Sequence, residues 1–274
     1  METLFSTRDV RPRDRFDYWH EVACRNIIKH DSQPECRLKF QATMQKGMLA
    51  DVELFLFKNS SMDVARTPRQ ITQATDNAIF VCQQLSGTLA LEQNGREIVL
   101  EPGDVTLLDP LQPYVGKFSR ASNMLVLKAP RHALEVRVGT ISEMVVRSIK
   151  PSEAEGSLAS SYLAMLPAYT GRMCATAEEI VKDQALDLVA LSLAKAMGRP
   201  SASSADSRAL VNARNAIEAQ PTAPALGYQP WSKTDLFFLV DSLQHGRSFH
   251  EVAGFLRRDE DEVREKATAF KLIK

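Results

Sequence analysis

The side chains able to carry chemistry are few and scattered. The histidines are His20, His30, His132, His245 and His250, and none falls between Gln33 and Ala129, the segment that reads as strands. A metal such as zinc needs three or four imidazole or carboxylate ligands converging at about 2.0–2.2 Å, and no grouping in the sequence supplies them, so neither a metal site nor a cofactor is expected. Cys24, Cys36, Cys82 and Cys174 are irregularly spaced and form no C-x-x-C pair. No cysteine has a plausible base nearby in the sequence, and there is no G-x-S-x-G elbow, Walker glycine loop or dinucleotide glycine fingerprint. Cys82 reads as a core residue. Gln83 and Gln93 lie in strands, where an amide either hydrogen-bonds a bound ligand or faces solvent. Tyr114 either caps the mouth of a barrel or packs. Near the C-terminus Arg257, Arg258, Arg264 and Lys266 surround the last helical segment, where a small helical DNA reader would meet phosphates. The alternative is a solvated surface, because from Trp231 onward eight Lys/Arg face eight Asp/Glu.

Four zones must position these residues. Up to about Ile28 the chain reads as an amphipathic helix, with Pro12 suited to a first helical position and Phe16, Trp19, Val22, Ala23 and Ile27 at helical spacing. From about Gln33 to Ala129 it reads as short strands. Leu54–Phe57, Ile79–Val81 and Met124–Leu127 are apolar runs, and Leu89 and Leu91 alternate with polar or small residues up to Asn94-Gly95. That pair suits a type I′ hairpin turn, and Ile98 and Leu100 continue the alternation beyond it. Many short strands of this kind predict a sandwich or barrel. Residues 151–198 predict two helices. Leu158, Tyr162, Met165 and Leu166 share a face in the first, and Thr176 with Glu179 forms a capping-box pattern at the start of the second.

The fourth zone begins with a Ser/Ala-rich linker at 201–204, a short helix at about 208–219 and a proline-containing linker at 221–230. Residues 231–274 then predict three short helices. The first runs over about 233–244, the second is capped by Ser248 with Glu251, and the third follows Asp259. Trp231 is expected to supply the core of this unit with Leu236, Leu239, Phe255 and Phe270.

The composition is that of an ordinary globular protein. Lys plus Arg equals Asp plus Glu at 34 each, so any DNA contact must come from a local patch. No apolar run approaches the ~20 residues of a membrane span. The segment 1–15 lacks the apolar core of a signal peptide. The cytoplasm is therefore the expected compartment, with cysteines reduced and mostly buried.

Several motifs in order point to a family. They are Phe5-Ser6-Thr7-Arg8-Asp9, Arg15-Phe16, Tyr18-Trp19, Arg66-Thr67-Pro68-Arg69, Leu85-Ser86-Gly87, Gln93-Asn94-Gly95-Arg96-Glu97, Pro102-Gly103-Asp104, Leu108-Asp109 and Pro113-Tyr114. Together they resemble the sensor domain of AraC-family regulators with a cupin-like barrel, over roughly Thr3 to Met197. The resemblance implies an α+β fold: a cupin-like β-barrel with flanking helices and a helical pair, followed here by a small three-helix C-terminal unit. The division it implies is 1–198 for the sensor domain (barrel about 33–129, helices about 151–198), 199–230 for a linker with a short helix, and 231–274 for a helix-turn-helix-like unit.

The chain departs from the family's usual double helix-turn-helix domain, since only 64 residues follow Leu210. Residues 231–274 resemble a small Myb/SANT-like unit instead, on Trp231-Ser232, Asp235-Leu236, Gly246-Arg247-Ser248, Glu251-Val252-Ala253, Phe255-Leu256 and Glu262-Val263-Arg264. The function implied is a non-enzymatic transcription regulator. Its barrel senses a small-molecule effector through Gln83, Gln93 and Tyr114, its helical pair forms a homodimer, and its C-terminus contacts DNA through Arg257, Arg258, Arg264 and Lys266. Two alternatives stand beside it: a regulator-derived interaction protein that has lost DNA binding, and a cupin-type enzyme.

Overall fold

The computed structural model describes residues 1–72, 77–198, 239, 243, 248–256 and 258–269. The chain divides into two compact units, Met1–Ile217 and Glu218–Lys274.

The first unit is built on two antiparallel sheets. One has the order β1 (Glu2–Ser6), β3 (Ala42–Leu49), β4 (Val52–Asn59), β11 (Ser122–Pro130), β6 (Ala78–Ser86), β9 (Val105–Leu108); the other runs β2 (Asp31–Pro34), β5 (Met62–Arg66), β10 (Tyr114–Phe118), β7 (Leu89–Gln93), β8 (Arg96–Leu100). They pack face to face as a cupin-like barrel, and the fold is α+β. Burial explains the two sequence patterns. In β7 and β10 buried and exposed residues alternate strictly, so one face of that sheet is wet. In β6 and β9 nearly every residue is buried. The short helix α2 (Pro68–Ile71) follows β5. Helices α3 (Arg131–Val138) and α4 (Ala154–Tyr169) cover the second face of β6, Val145 and Ile149 bridge to β9, and α5 (Ala175–Ala196) packs on α3, α4 and β3. Continuous apolar runs are what a doubly covered strand requires.

The Asn94-Gly95 hairpin forms as read. Gln93 pairs with Arg96, and the two turn residues have φ of 55° and 69°. A Cβ on Gly95 would meet nothing within 4 Å, so substitution is penalised by backbone strain alone. Gly95→Val is expected to lower stability by about 1–3 kcal/mol. An unchanged urea midpoint would show that this turn tolerates a β-branched residue.

Several boundaries differ from the sequence reading. β1 precedes the N-terminal helix and pairs with β3; its two polar leading residues gave it no strand signature. The helix itself, α1, spans Arg15–Asn26, and Pro12 lies in the turn before it, closed by Asp14 N–H on Arg11 O at 2.9 Å. Proline's fixed φ suits the second position of such a turn as well as it suits a helix start. The second long helix begins at Ala175 with Cys174 as its N-cap, so Thr176 and Glu179 fall inside it and form no capping box. In α4 the core-facing stripe is Ala159, Leu163 and Leu166. Leu158, Met165 and Tyr169 are 51–61% exposed and line up with half-buried Tyr162 on a separate apolar stripe. Of the cysteines only Cys82 is buried; Cys24 is half-buried and Cys36 and Cys174 are exposed.

In the second unit α6 (Phe249–Leu256) and α7 (Glu260–Ala269) pack together, with Val252, Ala253, Val263 and Ala267 buried around Leu239. Asp259 caps α7 by accepting the Asp261 N–H at 2.8 Å, and Glu260, Asp261 and Glu262 occupy its first turn, where the helix dipole favours them. Trp231, Leu236, Arg257, Phe270, Lys271, Lys274, the linkers at 201–204 and 221–230 and the short helix at 208–219 lie outside the described residues, as does the Phe255 side chain. Among the described residues no helix is long and apolar enough to cross a membrane.

Candidate functional site

A cavity of roughly 80 Å³ lies between the two sheets. Strand residues such as Phe57, Leu91, Tyr114 and Val126 form its walls, and α1 closes one side with Trp19 and Ala23. Every lining residue is buried or half-buried. α1 is held there by aromatic packing: Phe16 and Trp19 stand 5.2 and 5.5 Å from the Phe40 ring, both near edge-on, a geometry that aromatic quadrupoles favour.

The cavity carries no charge at neutral pH. Burial pushes the Cys82 thiol up to about 12, and burial also raises the Tyr114 phenol well above its ordinary value. Burial lowers the His30 imidazole to about 4, against a smaller opposing effect from its hydrogen bond to Ile28 O. All three groups therefore face the cavity neutral. The Trp19 indole N–H is buried and has no acceptor among the described residues.

The three residues singled out as ligand contacts separate in space. Tyr114 lines the cavity. Gln83 does not: its neighbour Cys82 points inward, so strand alternation turns Gln83 to the helical side. There its amide donates to Ser160 O at 2.7 Å and Ser160 Oγ at 2.9 Å, tying β6 to α4. The Gln93 amide donates to Asp109 O at 2.7 Å and accepts from Asp109 N–H at 2.9 Å, bracing the loop after β9. Arg66 is also structural. It is 2% exposed, and its guanidinium donates to the carbonyls of Pro110 and Lys29.

In the second unit the Arg258 side chain is 8% exposed and paired with Glu262 at 2.5 Å. Arg264 pairs with Glu260 at 3.0 Å and lies over the Phe249 ring. Lys266 is half-buried in the last turn of α7, and Arg257 lies outside the described residues.

One grouping was not anticipated. His20, Cys24 and His30 bring their ligand atoms within 4.8 Å of one another. The expectations that no cysteine has a base nearby in the sequence and that no residues converge as metal ligands fail here, because His20 precedes Cys24 by one helical turn and its Nε2 lies 3.6 Å from the sulfur. The available signal was the His20-x₃-Cys24 spacing, which puts both side chains on one helix face, with His30 soon after.

Residues 19–194 match the AraC-binding-like domain family. The chain belongs to that family. The matched span takes in α1 from Trp19 onward, every strand from β2 to β11, α4, and α5 as far as Ala194, so it includes the residues that line the cavity. An uncharacterized protein in the nit 5′ region of Bacillus sp. (strain OxB-1) is 32% identical over 134 residues, which is 49% of this chain and 52% of that protein. The transcriptional activator NphR of Rhodococcus sp. is 27% identical over 166 residues, 60% of this chain and 50% of NphR. The chain thus spans about half the length of these curated relatives. The crystal structure of the AraC-like transcriptional activator CuxR shares the fold with a TM-score of 0.62 at 15% identity, over 94% of this chain and 85% of CuxR.

Proposed function

We propose that this AraC-binding-like protein is a cytoplasmic, non-enzymatic transcription regulator whose barrel cavity binds a small, neutral, largely apolar effector. The observation that carries this reading is the buried cavity whose titratable groups are all held neutral, since a charged ligand would find no counter-charge there. The Trp19 N–H, which has no acceptor among the described residues, offers such a ligand one hydrogen-bond donor, and Tyr114 also lines the cavity. Gln83 and Gln93 act through the frame, anchoring α4 and the loop that follows β9. The name of NphR, a transcriptional activator, supports regulation. The effector works by binding two arrangements of the protein unequally. Residues 1–198 form the sensor and 199–230 a linker to the unit at 231–274, which contacts DNA through Arg257, Arg264 and Lys266, with Arg258 contributing once released from Glu262.

The chain contains two tryptophans, Trp19 and Trp231, so in a Trp231→Phe background the emission of Trp19 reports the cavity. Titration with neutral aromatic and aliphatic compounds is expected to shift that emission, and the same compounds are expected to change the anisotropy of duplex DNA bound by the full chain. DNA binding weaker than about 100 μM at low salt would remove DNA contact from the proposal. One observation favours the interaction-protein alternative in that event: Arg258 and Arg264 are each neutralised by a glutamate of α7.

The helical pair is proposed to join two copies. The stripe of Leu158, Tyr162, Met165 and Tyr169 runs at spacings of four, three and four along α4, the pattern of a helix face awaiting a partner. Met165→Glu is expected to convert a dimer to a monomer in sedimentation velocity without moving the thermal midpoint, because Met165 is exposed in the protomer. A wild-type chain that stays monomeric at high concentration would remove the dimer.

A further inference from the structure

His20 and Cys24 are one turn apart on α1, and His30 stands at the entry to β2. The Cys24 sulfur lies 3.6 Å from His20 Nε2 and 3.8 Å from His30 Nδ1. A tetrahedral zinc with Zn–S of about 2.3 Å and Zn–N of about 2.0–2.1 Å sets sulfur-to-nitrogen edges of roughly 3.6 Å. The two edges are thus already close to metal-binding length. The imidazole rings are 5.4 Å apart at 68°, so they converge on the sulfur edge-on and do not stack. His20 Nδ1 lies 2.6 Å from Ser32 Oγ, which orients the ring and leaves Nε2 facing the thiol. Metal-ligating histidines are oriented in this way, by an outer partner on the second ring nitrogen.

We propose that Cys24, His20 and His30 form a binding site for a transition-metal ion of the zinc class. One thiolate and two neutral imidazoles suit zinc, cobalt(II) and copper(I) better than calcium or magnesium, which prefer oxygen. Three protein ligands leave a fourth position for water or an incoming donor. On loading, the Cys24 thiol releases one proton to solvent. His30 Nδ1 exchanges its 2.8 Å contact with Ile28 O for the metal. His30 also lines the barrel cavity, together with Trp19 and Ala23 of α1. A bound ion would therefore staple α1 to the start of β2 at the margin of the cavity.

The test is cobalt(II) titration of the untagged, reduced, chelator-treated full chain. The expected result is one cobalt per chain, with the ligand-field absorption of a tetrahedral site and a thiolate-to-cobalt charge-transfer band, both displaced by zinc. Cys24→Ser is expected to abolish the charge-transfer band and His20→Gln to weaken binding strongly. Ser32→Ala, which leaves all three ligands in place, is expected to weaken it by about 10–100-fold. Cys36→Ser and Cys174→Ser are expected to behave as wild type. Absence of these bands at millimolar cobalt, or a spectrum unchanged by both Cys24→Ser and His20→Gln, would overturn the site. If Cys24→Ser fails to fold, His20→Gln and Ser32→Ala decide. Cobalt silence would leave the effector reading standing, because that is tested by cavity fluorescence without metal.

Discussion

Trp19→Ala is expected to lower the stability of the first unit by about 3–5 kcal/mol, the usual cost of deleting a large buried aromatic. Trp19 is 2% exposed and packs on Phe16 and Phe40 while closing one side of the cavity. Its removal therefore loosens α1 and enlarges the cavity together. Trp19→Phe separates two roles of the same residue. The indole N–H has no acceptor among the described residues, so its loss leaves none of their polar groups unpaired. Phenylalanine keeps the ring packing, and its cost is expected to stay below about 1.5 kcal/mol. Urea denaturation measures both. Equal damage from the two substitutions would mean that the N–H holds the fold through a partner. With Phe at position 19, effector affinity is expected to fall even though the protein remains folded.

The second large effect concerns Arg137 on α3. Its side chain is 2% exposed, with Nε donating to Asp187 at 2.7 Å, Nη2 to Asp183 at 2.9 Å and Nη1 to Ala133 O at 2.5 Å. The two aspartates are one turn apart on α5 and 25–29% exposed. The consequences of breaking the triad are therefore asymmetric. Asp183→Asn with Asp187→Asn leaves a buried guanidinium without counter-charge, and a loss of about 3–5 kcal/mol is expected. Arg137→Met leaves two carboxylates that water already reaches and puts an apolar chain in the buried slot, so a smaller loss is expected. Chemical denaturation of the two variants gives the order. A larger loss from Arg137→Met would show that the arginine's hydrogen bonds to α5 outweigh the desolvation of its charge.

Much of the fold was legible because burial imposes period. Leu89, Leu91, Ile98 and Leu100 alternate around a turn that only residues tolerant of positive φ accept. Ile79 to Val81 form a solid apolar run because helices cover one side and the opposing sheet the other. The edge strand at Glu2–Ser6 carried no such period. In α4 helical spacing alone could not tell Ala159, Leu163 and Leu166, which face the core, from the outer stripe one position away. The cavity was visible only through Tyr114. Gln83 and Gln93 were plausible ligand contacts by type, but strand parity and the demands of neighbouring backbone groups committed their amides elsewhere. The roof of the cavity was hidden because Trp19 reads as an ordinary apolar position of an amphipathic helix, and His30 falls between that helix, read up to about Ile28, and the strands read from about Gln33.

The placement of α1 over the cavity carries an expectation about kinetics. A cavity of roughly 80 Å³ is smaller than most organic effectors, so binding one requires a wall to give, and α1, held by side-chain packing and not by strand pairing, is the element proposed to lift. Opening of such local units runs on slower timescales than diffusion. The observed association rate is therefore expected to level off as ligand concentration rises, at the rate of helix opening. The same step limits escape. The lifetime of the bound state would then be set by the grip of Phe16 and Trp19 on the barrel as much as by the contacts the ligand makes inside it.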